Sequence, residues 1–386
     1  MFVLTESGRR DENFRRIHAS FLPGTLILTM ADNLSLILDG SRVSGWTKIR
    51  VTRGIERLPS DFEVEMTDLY PGDLARISAI PGQSCQVAIG NDVVITGYVD
   101  QVRPSIGRDY HRIAVIGRGK CEDLVDCSAT WPSGQISGSN ALQIAQKLAK
   151  PYGITVTSDG NNGPSIPQIN LMLGETAFEV IERIARYAGL LAYDLPDGNL
   201  RLARAGVDSH TSGFTEGQNV EEAEFEWRTD LRYSEIDCYL LTMQTMGDAG
   251  VNLVPVARAT DAVARPHRNL YIVSEQVQAG RNIAQERANW EAARRAGRSQ
   301  AIHIVTDSWR DGDGMLWTPN VLVPVTLPSL KIPEETFLLI SEVTYTLDDH
   351  GTHAELVLMP PDAFTPEPTI LQPLSPDVVL GAPNAP

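Results

Sequence analysis

Phe62-Glu63-Val64-Glu65-Met66-Thr67 places apolar side chains at every second position and polar ones between them. Successive side chains of a strand point to opposite faces, so a period of two marks a strand with one face in a core and the other in water. Lys48-Ile49-Arg50-Val51-Thr52 repeats the pattern upstream. Downstream, Val87 and Ile89 lead into Gly90-Asn91-Asp92 and then Val93-Val94-Ile95, two strands joined by a tight turn. Ile113 and Val115, with a return at Gly117, add a strand, and Leu34 to Leu38 followed by Asp39-Gly40 reads as the first strand and its turn. Short strands with turn signals this close together predict a small barrel or sandwich, with Trp46, Phe62 and Ile89 in its core.

Between about 120 and 205 the period becomes helical. Ser139 or Asn140 caps a helix running to Lys150, with Leu142, Ile144, Ala145 and Leu148 on its apolar side. Thr176-Ala-Phe-Glu179 is a capping box, in which the threonine oxygen and the glutamate side chain satisfy orphan amides reciprocally. Behind it Phe178, Ile181, Ile184, Ala185 and Ala188 make an apolar stripe that ends at Gly189, where a C-cap glycine belongs. Residues 191–203 form a hairpin around Pro196-Asp197-Gly198.

From about 206 strands return, at 224–228, 235–243, 302–305, 321–327, 337–347 and 355–359. One helix interrupts them, from about Ala279 to Ala296, ended by Gly297. Arg281, Arg287, Arg294, Arg295 and Arg298 crowd this helix, and Ile283 and Trp290 share a face. The 27 residues from Pro360 contain eight prolines, a composition expected to stay out of any core and to read as a tail or docking arm. At the other end residues 1–29 look like an extension, with Met30 as an alternative start.

The composition narrows the function. With 42% hydrophobic and 21% charged residues in 386, the chain is neither disordered nor fibrous. Forty-nine acids against 33 bases give −16, the wrong sign for wrapping nucleic acid. Four cysteines (Cys85, Cys121, Cys127, Cys238) are too few for a disulfide scaffold and read as buried reduced thiols of a protein assembled in a cytoplasm. No apolar run is long enough for membrane insertion, and the arginine-rich start lacks the anatomy of a signal peptide.

Catalytic and metal motifs are sparse. Ile116-Gly-Arg-Gly-Lys-Cys121 falls short of a phosphate loop, which wants glycine at Ala114 and a hydroxyl at Cys121; the competing reading is a strand leaving through a glycine-rich turn. Asp348-Asp-His-Gly-Thr-His-Ala-Glu355 gathers metal-ligand types, but the same residues suit a hairpin turn. Asp307 to Gly314 resembles half a calcium loop without the closing glutamate. No Gly-x-Ser-x-Gly elbow occurs. The expectation is a protein with no cofactor and no metal, and not an enzyme. The arginine-rich helix is the candidate contact, with Arg287, Trp290, Arg294 and Arg295 expected to meet acidic groups of a neighbouring subunit or an adjoining protein.

A resemblance carries the reading further. Asp39 to Phe62, Gly97 to Ser105, His111 to Ser128, Trp290 to Ser299 and Leu356 to Phe364 follow one another as in Mu-like phage baseplate hub proteins. The similarity spans about residues 34–364. The wider family takes in late control gene D tail proteins and the N-terminal part of type VI secretion spikes, and the stretch 176–203 is similar to both. The resemblance implies a mainly β fold with α+β elements: two related small β-barrels plus an α/β domain, forming a homotrimer that makes a pseudo-six-fold ring. The division it implies is an extension 1–29, a first β-barrel domain 30–119, an α/β domain 120–205, a second β-barrel domain 206–360 with the Arg-rich helix, and a Pro-rich tail 361–386. The implied function is the structural central hub of a contractile tail baseplate in the virion. Such a hub joins a three-fold central spike protein to the six-fold tail tube or distal tail proteins. Baseplate wedge proteins and the tape measure protein are further implied partners, and DNA passes through the ring without tight binding. The alternatives are a type VI secretion-like spike base and a hub with cell-wall hydrolase activity.

Overall fold

The computed structural model describes residues 32–67, 79–241, 256–275, 283–332 and 336–366. The extension 1–29 and the tail beyond Pro366 lie outside the described residues. The first stretch gives β1 (Leu34–Leu38), β2 (Ser41–Val43), β3 (Lys48–Gly54), β4 (Asp61–Thr67), β5 (Ser84–Ile89), β6 (Asp92–Ile106) and β7 (His111–Gly119). In β4, Phe62 and Val64 are fully buried while Glu63 and Glu65 are only partly covered, as a period of two demands. β5 and β6 pair antiparallel across the Gly90-Asn91 turn, and Trp46 and Ile89 are buried as expected.

The middle of the chain forms α1 (Glu122–Asp126), β8 (Gln135–Ser139), α2 (Ala141–Ala149), β9 (Val156–Ser158), β10 (Ile166–Asn170), α3 (Ala177–Ala188), β11 (Leu191–Asp194) and β12 (Leu200–Ala203). Asn140 caps α2 in a capping box with Gln143. At α3, Thr176 Oγ1 accepts from the Glu179 amide at 3.2 Å, and Glu179 Oε2 accepts from the Thr176 amide at 2.7 Å. Gly189 ends α3 at φ 70°, the left-handed conformation that glycine adopts without penalty. Ile144, Ala145 and Leu148 meet Ile181 and Ile184 in one core over β12. Phe178, expected inside that core, is only half-buried: its position on α3 turns it toward a groove that it lines with Trp290 and Arg294.

The rest gives β13 (Asp208–Ser209), β14 (Phe214–Thr215), β15 (Glu222–Trp227), β16 (Glu235–Leu241), β17 (Ala257–Thr260), β18 (Asn269–Glu275), α4 (Ile283–Arg298), β19 (Gln300–Thr306), β20 (Val321–Thr326), β21 (Thr336–Asp348) and β22 (Gly351–Met359). Two separate barrels were the expectation, and the described residues show no closed barrel. The strands run in one sheet in the order β15-β19-β22-β21-β3-β4-β7-β6-β5-β1-β2, with β13 and β14 joined through β20 to β21. The physical reason is the seam between β21 and β3, antiparallel from Glu342 opposite Gly54 to Leu347 opposite Ile49. The hydroxyls of Thr52 and Thr344 lie 3.1 Å apart across it. One core runs under both halves, holding Leu36, Phe62 and Val87 with Trp317, Val325, Tyr345 and Leu356.

β16 to β18 make a smaller sheet, with β16 antiparallel to β17 and parallel to β18. α4 covers it through Ala284 and Ala288, which pack on Ile236, Cys238 and Ala257. Gly297, expected to stop this helix, lies inside it. A Cβ there would stand 2.5 Å from the backbone nitrogen of Ala363, so the glycine serves close approach and not termination. The partner is a 3-10 turn, Pro361–Phe364, whose Ala363 and Phe364 are buried. The first residues of the proline-rich stretch therefore do enter a core, because two of them are apolar and α4 offers them a glycine-floored seat.

Candidate assembly interface

Helical spacing sorts the polar side chains of α4 into two stripes. Trp290, Arg294 and Arg298, four residues apart, face the turn that follows β22. Trp290 Nε1 donates to the Thr365 carbonyl at 2.7 Å, and Arg298 Nε to the Ala363 carbonyl at 3.2 Å. Arg294 reaches the Glu56 carboxylate at 3.1 Å, and Arg298 pairs with the same group. On the second stripe Arg295 bonds Glu291 at 2.7 Å and lies over the Tyr233 ring. Arg287 lies over the Trp290 ring, 5.4 Å from its centroid. All four candidate residues are half-buried, and three of them already have carbonyl or carboxylate partners within the chain. Glu56, more than 200 positions away, carries no sequence signal that would have named it as that partner.

Beside this helix the three parts of the chain meet. Ile55, Tyr193, Leu339, Ala363 and Phe364 form a small core of their own. Asp194 takes hydrogen bonds from the Ser60 amide at 2.9 Å and its hydroxyl at 2.8 Å, tying β11 to the loop before β4. Burial pushes the Asp194 carboxyl up, and the Ser60 amide is the chief group opposing it. Asn320 spans the same junction, donating to the Tyr193 hydroxyl at 3.1 Å and the Arg204 carbonyl at 2.9 Å.

A second charged cluster joins β7 to α1. Asp100 is the extra residue of a bulge in β6, which turns its carboxylate to Arg118 at 2.7 Å. Arg118 also meets Glu122 at 3.2 Å and Asp126 at 2.8 Å. Burial, and after it the Asp100 charge, push the Glu122 carboxyl up from 4.5 to about 8. A carboxyl raised on folding favours the fold at pH below its unfolded value and loses that contribution as pH rises through the folded value. The loss here falls between about pH 4.5 and 8. Glu122→Gln is expected to remove this pH dependence, so its melting temperature should gain on the wild type as pH rises across that window. Parallel melting curves at every pH would show that the carboxyl ionises at no cost.

The remaining motifs resolve as structure. Ile116 to Gly119 completes β7, where a Cβ on Gly117 would stand 2.2 Å from the Tyr98 carbonyl oxygen. Lys120 then donates to the Gly153 carbonyl at 2.7 Å. Asp348 to Glu355 forms the β21–β22 hairpin, with His353 Nδ1 2.7 Å from Glu221. In the 307–314 loop Asp311 accepts from the Asp313 and Met315 amides and meets His210 at 2.9 Å. Arg310 locks that loop to Asp32 at 2.5 Å and Asp92 at 2.7 Å. No disulfide joins the four cysteines among the described residues, and burial pushes Cys85 up to about 12, which keeps it protonated and unreactive. Among the described residues no helix is long and apolar enough to cross a membrane.

Fold and site together define a β-rich protein whose distant segments are held by contacts to backbone carbonyls and by long-range ion pairs. Residues 33–119 match the N-terminal domain of the Mu phage baseplate assembly protein GpP-like family. Residues 121–204 match the second domain of baseplate hub protein gp44-like, and 280–367 the fourth domain of GpP. The chain is similar to the baseplate hub protein gp44 of Escherichia phage Mu, 33% identical over 87% of this chain and 89% of that one. A 43 kDa tail protein of prophage MuSo2 from Shewanella oneidensis superposes with a TM-score of 0.76 at 33% identity, over 88% of this chain and all of that one. A tail protein from Neisseria meningitidis MC58 gives 0.72 at 24% identity, over 88% and 99%. The chain belongs to the Mu-like phage baseplate hub protein family. It is accordingly a structural protein of the virion tail, and its relatives are named for a place in the tail and not for a reaction.

Proposed function

We propose that this hub works as a homotrimer whose ring joins a three-fold central spike to the six-fold tail tube. The observation that carries the reading is the seam between β21 and β3, which holds two β-rich halves of one chain side by side over a common core. Three such chains offer six β-rich halves around an axis, which meets three-fold symmetry on one side and six-fold on the other. In this reading the two halves, about 30–119 and 206–360, take the part of the two barrels, and 120–205 rides on them as an α/β domain. Tail tube or distal tail proteins, wedge proteins and the tape measure protein are the neighbours, and assembly takes place in the host cytoplasm. Arg287, Trp290, Arg294 and Arg295 lie on a half-exposed surface that suits an acidic neighbour. Sedimentation of the full chain at micromolar concentration and physiological salt is expected to show a trimer. A monomer throughout that range would overturn the ring.

The same reading makes the ring a conduit. Each chain contributes a net charge of −16. Duplex DNA carries about one negative charge per 1.7 Å of axis, so a cationic lining holds it and an acidic or neutral lining lets it pass. The isolated hub is expected not to retain duplex DNA in a gel shift at about 150 mM salt, where the Debye length is about 8 Å. Retention at micromolar protein would point instead to the α4 arginines as a nucleic-acid contact.

A further inference from the structure

Each half of the large sheet has one long strand with a bulge near its middle. β6 has 15 residues and a bulge between Val99 and Gln101, and β21 has 13 and a bulge between Ile340 and Glu342. Before its bulge β6 pairs with β5, and β21 with β20. After it, β7 runs beside β6 and β22 beside β21. The other edge of that stretch of β21 meets β3 at the seam. The matching stretch of β6, residues 101–106, has no strand on that edge among the described residues.

The correspondence holds strand by strand. Ile116 opposite Gln101 answers to Val357 opposite Glu342. Val64 opposite Val115 answers to Ile304 opposite Leu356, and Ile49 opposite Val64 to Ala223 opposite Ile304. β7, β4 and β3 therefore stand in one half where β22, β19 and β15 stand in the other. β15 is paired with β19 alone among the described residues, so it too presents a row of unpaired amides and carbonyls. The strand that would serve β6 as β3 serves β21 is β15, and the two lie at opposite ends of the run β15-β19-β22-β21-β3-β4-β7-β6.

We propose that the free edge of β6 pairs with β15 of a second copy. The inference rests on the ring proposed above and names the edges that close it. Neighbours in this run of eight strands are all antiparallel, so β6 and β15 point in opposite directions. A copy rotated about the ring axis then brings its β15 antiparallel to β6. The seam sets Thr344 opposite Thr52, Val343 opposite Arg53 and Leu347 opposite Ile49. Carried across, that register sets Arg103 opposite Glu226 of the second copy, Val102 opposite its Trp227 and Ile106 opposite its Ala223. Both faces match. On the polar face Arg103, 3.7 Å from Glu63 in its own chain, comes beside the exposed Glu222, Glu224 and Glu226 side of β15, where Glu226 already meets Arg228 at 3.2 Å. On the apolar face the pairing covers Ile106 and Trp227, 78% and 64% exposed in the single chain, along with the half-buried Val102 and Phe225. Pro104 has no amide hydrogen to give, so the ladder lacks one bond.

Two measurements on the full chain test it. Arg103 and Glu226 take the places of Thr344 and Thr52, whose hydroxyls lie 3.1 Å apart, so cysteines there come within bonding reach. In a Cys127→Ser background, Arg103→Cys with Glu226→Cys is expected to give a covalent trimer on mild oxidation, seen on a non-reducing gel, with the 103–226 bond found by peptide mass mapping. Arg103→Cys with Glu222→Cys, four residues out of register on the same face, is expected to give none. A trimer in sedimentation that does not crosslink, or that links 103 to 222 as readily, overturns the pairing and leaves the ring standing. A monomer overturns the ring and the pairing with it. Separately, Arg103→Glu is expected to weaken the trimer about tenfold, and Glu226→Arg added to the same chain to restore it. Equal association of Arg103→Glu and wild type, or no recovery in the double variant, would overturn the register.

Discussion

Gly97→Ala is expected to destabilise the protein by about 3 kcal/mol or more, at the upper end of what overpacking does. β6 crosses β7 with Gly97 opposite Gly119. A Cβ on Gly97 would stand 1.9 Å from the carbonyl oxygen of Arg118, closer than any non-bonded contact allows. The obstacle is backbone within a ladder, so no rotamer change relieves it. The two strands must separate locally, and with them the bulge that aims Asp100 at Arg118. Denaturant unfolding of the purified variant checks this, or its soluble yield if none is recovered. A midpoint within experimental error of the wild type would show that the strands do not approach this closely.

Phe62→Ala is expected to cost about 3–5 kcal/mol, the range for a fully buried aromatic replaced by alanine. Phe62 is 0% exposed and sits on β4 between β3 and β7. Its ring fills the space left by Gly117, where a Cβ would come within 2.6 Å of it. Because the core is continuous from Phe62 to Trp317, the loss should lower the stability of both halves together. Circular dichroism reports the whole sheet and tryptophan fluorescence includes the buried Trp309 and Trp317, so the two should move to a common lower midpoint. Two separated transitions would contradict a shared core.

Local signals in the sequence were read well because the interactions behind them are local. The alternation in β4, the cap at Asn140, the capping box at Thr176 and the left-handed Gly189 each involve residues within four positions of one another. β17 and β18 escaped the reading. Ala257-Arg-Ala-Thr260 is short, with small residues facing α4, and β18 pairs in parallel with β16 across more than thirty positions. The seam between β21 and β3 joins residues nearly three hundred apart, so two separate barrels looked natural where one sheet exists. Glycine misled for a different reason. It marks both a left-handed backbone and a missing side chain, and Gly297 is the second kind while Gly189 is the first. The arginine cluster on α4 was visible, but Glu56 and the Thr365 carbonyl were not, since a backbone carbonyl has no letter in the sequence.

The small sheet and α4 leave the large sheet after β15 and return at β19, and those two strands are paired neighbours. Trp227 stands opposite Gln300, and the Arg228 amide donates to the Ser299 carbonyl at 2.8 Å. Everything between them departs from and comes back to one point, the arrangement in which insertions disturb a host least. A change of length or sequence between β15 and β19 would therefore leave the pairing of the large sheet in place, provided α4 still presents a surface to the Pro361–Phe364 turn.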